Sequence, residues 1–190
     1  MISLLQLKEL VRRIVSDDDP AAYKQLFLAY HKPLILFSSS ITRCKESAEE
    51  VVSDVFLKLW IGRKALPLVK NVHLYLYVST KNSSINRLLK QKREQCLSLD
   101  EMAVDLKSLY YDPEQLLICS ETAQQLSGCI SELPPKCKII FKLVKEDGLK
   151  YREVADLLHI SLKTVESQMS IALRKIGRSI QASHTSSILN

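Results

Sequence analysis

The chain has 190 residues, 27 lysines and arginines against 21 aspartates and glutamates, a formal charge of +6, and only four glycines. That length suits one domain or two small ones, and long runs of helix formers with so little glycine point to an all-α fold. No apolar run approaches a membrane span, and the five cysteines (Cys44, Cys96, Cys119, Cys129, Cys137) form no C-x-x-C pair, which argues against a zinc site or a disulfide framework.

The amino terminus lacks the basic lead, long apolar core and small-residue cleavage site of a secretory signal, so a cytoplasmic protein is expected. Charge is unevenly placed. Residues 1–95 carry 16 basic and 9 acidic groups, residues 96–133 carry 1 and 7, and residues 134–190 carry 10 and 5. Two basic blocks around an acidic connector suggest two polyanion-binding modules.

Residues 3–16 read as an amphipathic helix with Leu4, Leu7, Val11 and Ile14 inward. Asp17-Asp18-Asp19-Pro20 ends it and opens a second helix with an acidic cap and a proline at or near its first position. That helix is expected to run to about Tyr30, with Pro33 kinking it or starting a further segment that ends near Thr42. In the helix at 46–62, Ala48, Val51, Val52, Val55 and Leu59 form the buried stripe. Leu57 lies opposite, close to Glu50, Ser53 and Asp54, with Trp60 at the edge. A leucine and a tryptophan on an acidic face are either anchors for a partner protein or positions covered by other helices.

A loop at 63–71, marked by Gly62 and Pro67, leads to a helix from about Val72 to Arg93, whose expected buried face is Leu74, Val78, Ile85 and Leu89. Its far face then carries Leu76, Thr80, Ser83, Arg87 and Lys90, with Ser79 beside them and Asn82 and Asn86 on the flank. Hydroxyls and amides followed by the basic run Lys90-Gln91-Lys92-Arg93 suit a nucleic-acid backbone, and Tyr75 and Tyr77 are candidates to stack on unpaired bases. The helical period fades from Cys96 to about Pro113, an acidic linker. A helix at 114–132 follows, then Leu133-Pro134-Pro135 and a helix ending at Asp147-Gly148.

Lys150 to Ile176 reads as two helices about the turn His159-Ile160-Ser161, with Ser161 capping the second. Tyr151, Val154, Ala155 and Leu158 share a buried face in the first. Leu162, Val165, Met169, Ala172 and Ile176 form the apolar stripe of the second, while Lys163, Thr164, Ser167, Ser170, Ile171 and Arg174 point away. A helix-turn-helix with a net-basic outer face suits the major groove of B-DNA, although an ordinary helical hairpin has the same period. The tail 181–190 is expected to be disordered. The four histidines are scattered, and no carboxylate cluster, P-loop or Cys/His pair has catalytic spacing, so neither an enzyme nor a cofactor or metal site is expected.

In their order these segments resemble the extracytoplasmic-function (ECF) group of bacterial RNA polymerase sigma factors, across about residues 5–178. D-V-F-L-K-L-W from Asp54 resembles the region 2.2 signature. Leu66 to Asn71, Tyr75-Leu76-Tyr77 and Lys81-Asn82 resemble regions 2.3–2.4. Leu133-Pro134-Pro135, Gly148-Leu149, Y-R-E-V-A from Tyr151 and S-L-K-T-V-E from Ser161 resemble region 4. The T-V-E and A-L-R-K-I variants are most similar to the branch abundant in Bacteroidetes.

The resemblance implies two small helical domains, region 2-like at 1–95 and region 4-like at 114–180, joined by the linker at 96–113. It implies docking on the β′ clamp helices of core RNA polymerase through Glu50, Ser53, Asp54, Leu57 and Trp60. Melting and reading of the −10 element would fall to Lys70, Asn71, Tyr75, Ser79, Asn82, Ser83 and Arg87. Reading of the −35 element would fall to Lys163, Thr164, Glu166, Ser167, Ser170 and Arg174. A membrane-bound, FecR-like anti-sigma factor is a further implied partner. Two positions depart from the pattern. Lys150 stands where a capping Ser or Thr is usual, a cap weaker by about 1 kcal/mol. Glu166 stands where a basic residue is common; it would repel phosphate but could accept a hydrogen bond from cytosine N4. The competing expectation is a two-domain helix-turn-helix regulator that binds operator DNA without polymerase. It accounts for residues 134–178 but not for the face around Leu57 and Trp60.

Overall fold

A computed structural model describes the backbone of residues 2–94 and 128–188, with side chains to residue 91 in the first stretch and 178 in the second. The chain divides into two compact units, and every regular element among the described residues is helical. The expected linker at 96–113 and the beginning of the expected 114–132 helix lie outside the described residues; helical backbone is present at 128–131.

The first unit comprises α1 (Leu4–Ser16), α2 (Pro20–Thr42), α3 (Lys45–Ile61), a 3-10 segment (Arg63–Leu68) and α4 (Val72–Glu94). A capping box starts α1: the Ser3 hydroxyl accepts from the Gln6 N–H at 3.2 Å, and the Gln6 side chain accepts from the Ser3 N–H at 2.8 Å. Leu7, Leu10 and Ile14 are the buried residues of α1, whereas Leu4, expected inward, lies exposed in the first turn. The acidic cap behaves as its composition suggests. Asp19 accepts from the N–H groups of Ala21 and Ala22 at 2.7 and 3.1 Å, with Pro20 at the first helical position. Those backbone donors, Ala22 first, and the Arg13 guanidinium hold the Asp19 carboxyl below the ordinary carboxylate range.

Pro33 neither ends α2 nor begins a new helix. Proline removes one backbone bond, but Leu26, Tyr30, Leu34, Phe37 and Ile41 are all buried along one continuous helix, and their packing carries it across the break. In α3 the expected stripe of Ala48, Val51, Val52, Val55 and Leu59 is buried, together with Phe56.

The face assignment of α4 is the main correction. Leu76, Tyr77, Thr80 and Ser84 are fully buried, while Val78 is 37% exposed and Leu74, Ile85 and Leu89 are half-buried. One hydroxyl pair accounts for Ser84, whereas the Thr80 hydroxyl is buried without a hydrogen-bond partner. Ser84 donates to the Thr80 carbonyl at 2.8 Å and lies 2.8 Å from the Ser38 hydroxyl of α2, so a small polar seam packs where an apolar one was expected. Tyr77, expected as a stacking residue, is buried beside Phe37 and His73, each 5.4 Å away between ring centroids.

The second unit holds α5 (Pro135–Lys145), α6 (Tyr151–Leu158) and α7 (Leu162–Ile188). The stop of α5 uses Gly148 at φ 72°, a conformation that costs a Cβ-bearing residue, while the Glu146 and Asp147 N–H groups return to the Lys142 carbonyl. Cys137, Ile140, Leu143, Leu149, Val154, Leu157, Val165, Met169 and Ala172 form the core. The Cys137 thiol donates to the Gln168 carbonyl at 3.2 Å, and burial pushes it up. Two expectations are revised. Leu162, assigned to the apolar stripe, is 41% exposed. The helical backbone of α7 continues to Ile188, through most of the expected disordered tail. Among the described residues no helix is long and apolar enough to cross a membrane.

Candidate nucleic-acid and partner interfaces

The helix-turn-helix is closed at both sides of its turn by local chemistry. His159 ends α6 in the left-handed region (φ 53°, ψ 48°), and the Ile160 N–H returns to the Ala155 carbonyl at 3.0 Å. Ser161 then caps α7: its hydroxyl accepts from the Thr164 N–H at 3.0 Å and lies 2.8 Å from the Thr164 hydroxyl. At the start of α6, Lys150 has no acceptor, so only half a capping box forms: Glu153 accepts from the Lys150 N–H at 2.8 Å.

With Val165, Met169, Ala172 and Ile176 buried, Lys163, Glu166, Ser167, Ser170 and Arg174 are all exposed on α7, with Thr164 half-buried at the capped end. The hydroxyl hydrogen of Ser170 is committed to the Glu166 carbonyl at 2.9 Å, so toward a ligand Ser170 offers an acceptor. Ile171, expected to point away, is half-buried. Leu162, exposed beside Lys163, adds an apolar contact that the sequence pattern hid by fitting the buried stripe.

On α3, Glu50, Ser53, Asp54 and Leu57 form one exposed stripe, and Leu57 is 54% exposed. Ile61, one turn beyond Leu57, is also exposed and extends it; helical spacing from Leu57 would have found it. Trp60 stands half-buried at the edge of this stripe. Its ring lies 4.8 Å from the Tyr23 ring, with the Arg63 guanidinium 4.5 Å from the indole centroid. Arg63 also donates to the Asp18 carboxylate at 2.6 Å and to the Trp60 carbonyl at 2.9 Å. Its hydrogen bond holds the Asp18 carboxyl below the ordinary range. Arg63, Asp18 and Tyr23 were not legible as site residues. They tie the α1–α2 turn to the end of α3 and so fix where the 3-10 segment begins.

That segment delivers Lys70, exposed, and Asn71, whose side-chain carbonyl accepts from the Leu74 N–H at 3.1 Å and caps α4. Asn71 is thereby assigned a structural bond on a helix whose outer face carries the other candidates. Tyr75 and Asn82 are exposed, Ser79 and Ser83 half-buried, and Val78 and Asn86 share their side at helical spacing. Lys81 is half-buried, and burial pulls its ammonium below the usual lysine value. Beneath this face the Tyr30 hydroxyl lies 3.0 Å from His73 Nδ1, and burial pushes Tyr30 up to about 12, so it stays neutral. Arg87 is turned toward α3, where it pairs with Glu50 at 2.5 Å. Among the described residues no group of three His, Cys, Asp or Glu side chains could hold a metal ion.

Residues 26–94 match sigma-70 region 2, and residues 123–176 match sigma-70, region 4. The chain is 26% identical over 176 residues to the ECF RNA polymerase sigma-E factor of Escherichia coli K12, covering 88% of this chain and 91% of that one. It is 26% identical over 137 residues to the ECF RNA polymerase sigma factor SigK of Mycolicibacterium vanbaalenii, covering 69% and 67%. Among solved structures, the sigma factor RpoE in complex with the anti-sigma factor NepR from Bartonella quintana has the same fold. Its TM-score is 0.53 at 21% identity, over 84% of this chain and 96% of that one.

Proposed function

This chain belongs to the sigma-70 family, as an ECF sigma factor, and from that premise we propose which of its surfaces carry the work of transcription initiation. A sigma factor binds core RNA polymerase and directs promoter recognition and melting. An operator-binding regulator would not account for residues 26–94, which match sigma-70 region 2.

The exposed stripe of Glu50, Ser53, Asp54 and Leu57, extended by Ile61, docks on the β′ clamp helices, with Leu57 as its apolar anchor. Trp60 acts from behind by fixing the end of α3. The outer face of α4 holds the melted −10 strand: Tyr75 stacks on an extruded base, while Ser79, Asn82 and Ser83 offer hydrogen bonds to its edge. Lys70 and Arg87 neutralise phosphate, and Asn71 orients the helix that carries the pocket. In the second unit, Lys163 and Arg174 contact phosphate around the −35 element, and Thr164, Ser167 and Ser170 line the groove. Glu166 reads cytosine N4 there. Mounted on polymerase, the two units bind promoter DNA as one bivalent reader, so neither needs high affinity alone.

The observation that carries this reading is the pair of exposed polar stripes on α4 and α7, each backed by a fully buried seam. The T-V-E and A-L-R-K-I variants support, in our reading, membership of the Bacteroidetes branch, with a FecR-like membrane protein as its anti-sigma partner and the cytoplasm as its site of action. The test is reconstitution: core polymerase plus this protein should select promoters from a randomised library and open them, while the protein alone should show no specific duplex binding at physiological salt. Specific, tight duplex binding without polymerase would overturn the reading.

A further inference from the structure

The ion pair between Glu50 and Arg87 joins two surfaces assigned to different partners. Glu50 lies on the α3 docking stripe and Arg87 on α4, and their side chains meet at 2.5 Å. One turn along the same seam, the Gln91 amide donates to the Ser47 hydroxyl at 2.9 Å, so α3 and α4 run antiparallel with two polar rungs between them. The upper rung is accessible: the Glu50 side chain is 58% exposed and that of Arg87 36%. The arrangement is also incomplete, because Arg87 Nε is buried without a hydrogen-bond acceptor. A guanidinium held by one carboxylate, with a further donor unmet, has reason to leave when a richer acceptor such as a phosphate is offered.

We propose that Glu50 withholds Arg87 from nucleic acid in the free protein, and that docking of Glu50 on polymerase releases Arg87 to the backbone of the melted strand. This rests on the assignment of α3 to polymerase and α4 to the −10 strand. Each partner then favours the other, because both take one member of the same pair, and the coupling is reciprocal. Its size is bounded by what an exposed ion pair contributes, so the expected effect is modest.

The experiment is a double-mutant cycle read by fluorescence anisotropy on the full chain without polymerase. The probe is a labelled oligothymidylate of about 12 nucleotides, since phosphate contacts are independent of sequence. Glu50→Gln should tighten binding by about two- to fivefold, the range an exposed pair allows. That gain should vanish in an Arg87→Gln background. Glu49→Gln removes the same charge from the neighbouring exposed position and should give a smaller change that survives Arg87→Gln. No gain with Glu50→Gln, a gain no larger than with Glu49→Gln, or a gain that persists without Arg87 overturns the proposal. A separate arm tests its premise: Arg87→Gln in reconstituted holoenzyme should weaken binding of a pre-melted promoter. If it does not, the assignment of Arg87 to DNA fails, whatever the cycle shows.

Discussion

α4 and α7 present the same kind of outer face, polar with a few basic groups, yet they are built on opposite inner faces. The buried side of α7 is apolar, with Val165, Met169, Ala172 and Ile176, so the ordinary rule of apolar inside and polar outside orients the helix correctly. The buried side of α4 includes Thr80 and Ser84 with Leu76 and Tyr77, while Val78 faces out. A small hydroxyl allows close packing, so Ser84, satisfied by the Thr80 carbonyl and the Ser38 hydroxyl opposite, competes with leucine and valine for the core, while the Thr80 hydroxyl is buried without a hydrogen-bond partner. A mixed composition on both faces is what makes such a helix unreadable by periodicity.

The sharpest way to break this contrast is a pair of truncations on α4. Leu76→Ala should cost about 2–5 kcal/mol of the stability of the first unit, as a buried leucine does, whereas Val78→Ala should stay within about 0.5 kcal/mol. Thermal and urea unfolding of the two variants measure the difference; the reverse ranking would restore the face expected from the apolar pattern.

Next in size is docking. Leu57→Glu puts a charge at the centre of the exposed stripe and should weaken core polymerase binding by about thirtyfold, the loss of about 2 kcal/mol typical of a hot spot, with an unchanged helical circular dichroism spectrum. Asp54→Lys should act in the same direction. Wild-type affinity in both variants would move the docking face elsewhere.

Smaller effects are expected on α7. Lys163→Ala and Arg174→Ala should each lower −35 duplex affinity of the holoenzyme and flatten its salt dependence by up to about one phosphate contact. Glu166→Lys should instead change the preferred sequence, with discrimination of about 1–3 kcal/mol at one base pair; a randomised −35 selection with an unchanged consensus would exclude Glu166 as a reader.

What could be read from the sequence follows the locality of the interaction. Caps at Asp19 and Ser161, the stop at Gly148 and the buried stripe of α3 are all set within a few residues, and each was legible. The exposed stripes on α3 and α7 were legible because their opposite faces are mainly apolar. The parts that were not legible depend on distant partners. Pro33 is tolerated because tertiary packing holds α2 together. Trp60 is held by Tyr23 and Arg63, and Arg63 in turn by Asp18, 45 positions away. Ser84 goes inward because Ser38, 46 positions earlier, meets it there. Arg87 turns toward Glu50 for the same kind of reason.

The central claim is that the outer face of α4, and not merely its fold, holds promoter DNA open. Permanganate footprinting of the −10 region, with holoenzyme carrying Tyr75→Ala and Asn82→Ala together, tests it most directly. Both side chains are exposed, so folding, core binding and −35 duplex binding should be retained. Loss of the stacking contact, worth about 1–3 kcal/mol, should reduce reactive thymines several-fold or more, and a pre-melted bubble should restore only part of the activity because the extruded base still lacks its pocket. A double variant that folds, docks and opens the promoter as well as the wild type would contradict the account.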